Sequence, residues 1–179
     1  MPIDTRKFDM DQMLRANARD RAELHEKAVQ AIAEARYRFP TAEHPDFRTH
    51  INVPEVTMPV ELDTGETLAP DIVVTETKRN ELRIHAKVAT SADVTLEEAE
   101  RTWLPLSRVQ DAAFYLYVPV GYGRLAKRLC RRVGARVEGF RTWRFTPRGI
   151  EVNDISEAPN PLTLLLPPVV RRFLEPVAA

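Results

Sequence analysis

Asp71, His85 and Lys87 are the side chains in this sequence whose types and spacing could do chemistry together. Pro70-Asp71 heads one short apolar run, Ile72-Val73-Val74, and Leu82-Arg83-Ile84-His85-Ala86-Lys87-Val88 forms a second. The polar break between them holds Lys78, Arg79 and Asn80, which predicts a strand pair joined by a tight connection. Successive strand side chains alternate between faces. Leu82, Ile84, Ala86 and Val88 therefore share one face, and Arg83, His85 and Lys87 share the other. Asp71 then falls near Lys87 on the neighbouring strand, with His85 beside them. A carboxylate is a ligand for hard divalent cations. A lysine stabilises developing negative charge, and an imidazole suits manganese, zinc or nickel better than magnesium. The plainer alternative is a pair of ordinary buried strands.

A proline-aspartate, a gap and then an acid-x-lysine triplet is the signature of the PD-(D/E)xK nuclease superfamily, and this chain resembles it with His85 in place of the triplet's acid. The resemblance runs from about Asp9 to Arg148. It implies a restriction-endonuclease-like α/β core: a central mixed sheet flanked by helices, in the order helix, three antiparallel strands, helix, strand, helix, strand. It also implies metal-dependent phosphodiester cleavage of DNA or RNA, with magnesium or manganese polarising the phosphate and activating water. Asp71 would be a metal ligand, Lys87 the water-positioning cation and His85 a substitute ligand or base. Some members add a glutamate from the first helix, for which Glu23, Glu26 and Glu34 are the candidates. Loss of the acid leaves two readings open: a divergent, active metal site that prefers manganese, in which His85→Glu restores magnesium, or a non-catalytic nucleic-acid-binding or protein-interaction module on the same scaffold.

The flanking elements follow the same plan. Residues 9–39 contain no glycine or proline and many helix formers, which predicts a long first helix. Its small-residue stripe is expected at Leu14, Ala18, Ala22, Ala28, Ala31, Ile32 and Ala35. Residues 49–62, interrupted by Pro54 and Pro59, suit an irregular or edge strand, and Asp63-Thr64-Gly65-Glu66 a turn. Thr95 and Glu98 form a capping-box pattern ahead of Leu96, Ala99, Trp103 and Leu106, with Pro105 bending or ending the helix. Residues 113–118 alternate as an aromatic strand. A further helix opens at Gly121-Tyr122-Gly123 and closes at Gly134. Residues 135–145 provide the last strand.

The chain has 179 residues, one cysteine and zero formal net charge. That length suits one domain, residues 1–150, followed by a proline-interrupted apolar extension, 151–179, expected to pack on the body or on a second copy. The single Cys130 excludes a disulfide framework and a cysteine-based zinc cluster, and a packed thiol is expected there. No apolar run is long enough to span a bilayer and no leader pattern opens the chain, so a cytoplasmic protein is expected, with a homodimer as one possible assembly. The charge is unevenly spread: residues 41–110 hold thirteen acids against seven bases, and residues 111–150 nine bases against two acids. Arg124, Lys127, Arg128, Arg131 and Arg132 fall on one helical face, a candidate phosphate-binding surface. A solvated face that balances the acidic half is the alternative. His25, His44 and His50 lack partners at metal-ligand spacing and are expected at the surface or in turns.

Overall fold

A computed structural model describes residues 5–62 and 64–155, with side-chain detail from Asn17 onward. The first helix, α1, spans Thr5–Arg36 and is about 48 Å long at 1.5 Å per residue. It is followed by β1 (Phe47–Ile51), a two-stranded ribbon of β2 (Val60–Glu61) and β3 (Thr67–Leu68), then β4 (Ile72–Glu76) and β5 (Glu81–Val88). Helix α2 is built from three consecutive segments: Leu96–Glu98, a π-helical Ala99–Trp103 and Leu104–Leu106. Then come β6 (Ala113–Pro119), α3 (Gly123–Val133), β7 (Gly139–Thr146) and β8 (Gly149–Asp154).

Six strands form one mixed sheet in the order β1-β4-β5-β6-β7-β8. The pairs β1/β4 and β4/β5 are antiparallel, β5/β6 and β6/β7 parallel, and β7/β8 antiparallel. The α/β expectation appears in this arrangement, while the expected order of three strands after the first helix is interrupted by the separate β2/β3 ribbon. Strand β8 extends the predicted set, and the boundary drawn at residue 150 runs through it. Its signal is weak because Gly149-Ile150-Glu151-Val152 alternates over only four residues. Residues 156–179, where the apolar extension was expected, lie outside the described residues. Among the described residues no helix is long and apolar enough to cross a membrane.

The period-two pattern divides the core into two layers. Ile72, Val74, Ala86, Val88, Tyr117 and Trp143 meet Ala28, Val29, Ile32, Ala33 and Tyr37 of the α1 segment. Phe114, Leu116 and Val118 face the other way, onto Ala99, Trp103 and Leu106 of α2 and Ala126 and Cys130 of α3. The expected α1 stripe is corrected here. Its sheet-facing part is Ala28, Val29, Ile32 and Ala33, while residues 17–24 are exposed and Ala35 points outward. Ala18 and Ala22 precede the part of the helix that the sheet covers, and the side chain of Leu14 lies outside the described residues. Pro105 stands one residue before the end of α2 at Leu106, close to the end the sequence suggests. Wide i→i−5 spacing accommodates it, with the Leu104 N–H donating to the Ala99 carbonyl, which relieves the clash a proline makes with the preceding turn. Gly134 closes α3 in the left-handed conformation, at φ 79°, as the sequence suggests.

Candidate functional site

The register of β4 on β5 pairs Ile72 with Ala86 and Val73 with His85, so Asp71 at the head of β4 lies across from Lys87. Lys87 Nζ donates to Asp71 Oδ1 at 3.0 Å, and the Val88 N–H donates to Oδ2 at 2.7 Å. A third donor arrives from α1: His25 Nε2 lies 3.3 Å from Oδ1. The carboxylate is almost fully buried at 4% side-chain exposure, against 18% for Lys87 and 23% for His25. Burial opposes the charged carboxylate, but the His25 hydrogen bond, the Lys87 charge and the Val88 amide outweigh it and hold its pKa below the usual range. Burial also opposes a charged His25. The bond to Asp71 and the charges of Asp71 and Asp93 prevail over burial and Lys87, and its pKa is raised.

His25 corrects the surface placement expected for it. A stripe signal was present in the sequence, since His25 stands three and four residues before Ala28 and Val29. It was obscured because a histidine interrupts a run otherwise read for small apolar residues. The glutamates proposed from α1 point elsewhere: Lys27 donates to Glu23 at 2.6 Å, Gln30 to Glu26 at 3.2 Å, and Glu34 is exposed.

The structure brings Asp71 and Lys87 together and places His85 differently. His85 shares the Lys87 face, as the alternation requires, but one pleat repeat deeper, about 7 Å along the strand. It is fully buried, opposite Val73 and stacked on Phe114 at 5.1 Å between ring centroids. Its Nε2–H donates to the Leu106 carbonyl at 3.0 Å, near the end of α2. The neutral ring then carries a bare Nδ1, which is buried with no hydrogen-bond partner. Burial pushes the pKa down to about 4, against the weaker opposing effect of the Leu106 carbonyl. This imidazole ties β5 to α2.

A hard divalent cation fits these residues poorly. Magnesium prefers near-octahedral oxygen ligation, whereas here one carboxylate has both oxygens engaged by protein donors. Among the described residues no three His, Cys, Asp or Glu side chains converge as a metal-ligand set. Asp93, whose charge acts on His25, accepts from the Thr90 N–H at 2.8 Å and the Thr90 hydroxyl at 2.7 Å.

Helix α3 begins after the C-terminal end of β6, the same end of the sheet at which Lys87 stands on the parallel β5. Arg124, Arg128, Arg131 and Arg132 are exposed. Arg124, Arg128 and Arg132 make no ion pair or side-chain hydrogen bond among the described residues, and Arg131 donates only to the Lys127 carbonyl of its own helix. Lys127 leaves the expected stripe: it donates to the Ile155 carbonyl at 3.1 Å and lies over the Phe140 ring at 5.5 Å. Cys130 is buried, and burial pushes its thiol pKa up to about 12. Comparisons with protein-family models, curated proteins and solved structures gave no match.

Proposed function

We propose that this chain is a catalytically degraded PD-(D/E)xK nuclease-like protein, built on a restriction-endonuclease-like core, that binds nucleic acid without cutting it. Support for the core comes from the element order and from the sheet order β1-β4-β5-β6-β7, with the proline-aspartate strand between an antiparallel partner and the lysine strand. The observation that carries the loss of cleavage is the engagement of Asp71. Lys87, His25 and the Val88 amide take its oxygens, and the neighbouring acid is replaced by a sealed, neutral His85. The site is balanced by internal cations.

The binding half of the proposal rests on α3. Some cations elsewhere on the surface are paired, as in Lys78–Asp46, Arg83–Glu76, Arg101–Glu98 and Arg144–Glu151, while the exposed Arg108, Arg136 and Arg148 share the lack of an acidic partner among the described residues. The arginines of α3 have no acidic partner among the described residues, and a polyphosphate backbone supplies a matching row of charge. Fluorescence anisotropy with duplex DNA and RNA tests this. Binding should weaken steeply with salt, and magnesium or manganese should produce no cleavage. Metal-dependent cleavage that disappears in Asp71→Ala would establish the other reading, a metal-dependent phosphodiesterase. Absence of binding at low salt would move the α3 face to a protein partner.

A further inference from the structure

Asp71 owes its position to a residue outside the strand pair. Asn52, just beyond β1, is 6% exposed and uses its amide fully. Its Nδ2 donates to the Pro70 carbonyl at 2.7 Å and the Met58 carbonyl at 2.9 Å. Its Oδ1 accepts from the Thr57 N–H at 2.9 Å, the Met58 N–H at 2.8 Å and the Thr57 hydroxyl at 3.2 Å. Its backbone N–H donates to the Asp71 carbonyl at 2.9 Å. One residue thus grips the carbonyls of Pro70 and Asp71 while organising residues 57 and 58.

From this geometry we infer that Asn52 is a positioning residue for the Asp71 carboxylate. Proline fixes only its own φ, so the Pro70 carbonyl needs an external donor to set the peptide that carries Asp71. The Asn52 amide supplies it from a buried position, where the hydrogen-bonded geometry has few alternatives. The carboxylate is thereby held where its Oδ2 meets the Val88 N–H and its Oδ1 meets Lys87 and His25. The inference rests on the reading of Asp71 as the centre of the site, and assigns to Asn52 a role that a loop-holding asparagine would not have.

The test reads the Val88 amide by NMR in the wild type, Asn52→Ala, Asn52→Asp and Asp71→Asn. Asn52→Asp is the sharper variant, because it keeps an acceptor for the Thr57 and Met58 amides and removes the donor to the Pro70 and Met58 carbonyls. It also serves if Asn52→Ala does not fold. A hydrogen bond to a charged group is worth enough that its loss should lower Val88 amide protection by about tenfold or more. The Val88 proton should move upfield towards its position in Asp71→Asn, with the β5 amides Ile84 and Ala86 unchanged. If Val88 responds in Asp71→Asn but not in the Asn52 variants, Asn52 holds only the loop and the inference falls alone. If Val88 responds in none of them, the Asp71 geometry falls with it.

Discussion

His85 should make the fold acid-sensitive in a way that one substitution removes. Its pKa falls from an ordinary 6.5 to about 4 in the folded protein. A group with a depressed folded pKa that is neutral when deprotonated contributes its full stabilisation above 6.5. That contribution is lost as the unfolded chain takes up the proton between 6.5 and about 4. At about 1.4 kcal/mol per unit the whole interval is worth about 3.5 kcal/mol, of which about 2 kcal/mol is lost between pH 7 and pH 5. His25 acts in the opposite sense: its raised pKa gives stabilisation that is complete below 6.5 and is lost as pH rises through the folded value. His25 is common to wild type and His85→Gln, so it cancels when the two are compared. Glutamine can still donate to the Leu106 carbonyl but does not titrate. Urea unfolding followed by circular dichroism at pH 7 and pH 5 should show a pH-dependent loss about 2 kcal/mol smaller in the variant. Equal losses in the two proteins would refute a sealed, neutral His85.

Four further outcomes follow from contacts in the structure. Isothermal calorimetry should detect no tight magnesium or manganese binding, and His85→Glu should not create it, because the new carboxyl would be sealed away from solvent. Replacing Arg128 and Arg132 together by Ala should flatten the log-log salt dependence of duplex DNA binding by up to about 2 units, with stability changing by only about 0.5 kcal/mol. A Cβ at Gly139 would lie 2.7 Å from the Tyr115 ring, which is itself packed beneath the Arg141 guanidinium at 4.6 Å. Thermal denaturation of Gly139→Ala should therefore show a loss of about 1–3 kcal/mol. Cys130 should react with a thiol reagent only when the protein unfolds, since burial keeps the thiol protonated.

Much of the architecture was legible because it rests on local rules. Alternation in 82–88, the Thr95 cap, the aromatic strand after Ala113 and the glycine at 134 each act over a few residues. The Asp71–Lys87 meeting was legible for the same reason, since it needs only a strand pair and a period of two. The side of His85 was also predictable, but its depth was not. Whether a residue on a given face meets solvent or lies beneath a helix depends on where α2 ends, and Leu106 supplies that from twenty-one positions away. His25 was missed for a related reason: its partner is on another element, and no spacing within α1 announces a carboxylate outside it. The π-helical segment at Ala99–Trp103 and the Asn52 grip on Pro70 are likewise tertiary solutions that local propensity does not encode.

Each side of the sheet also carries one of the chain's two tryptophans. Trp143 belongs to the layer under α1, where its indole N–H donates to the Ala89 carbonyl at 3.2 Å, and Trp103 belongs to the layer under α2 and α3. Emission from Trp143→Phe and Trp103→Phe proteins therefore monitors the two layers separately. Superimposable denaturation curves would identify a single cooperative unit, whereas separated midpoints would divide the domain into two foldons that share a sheet.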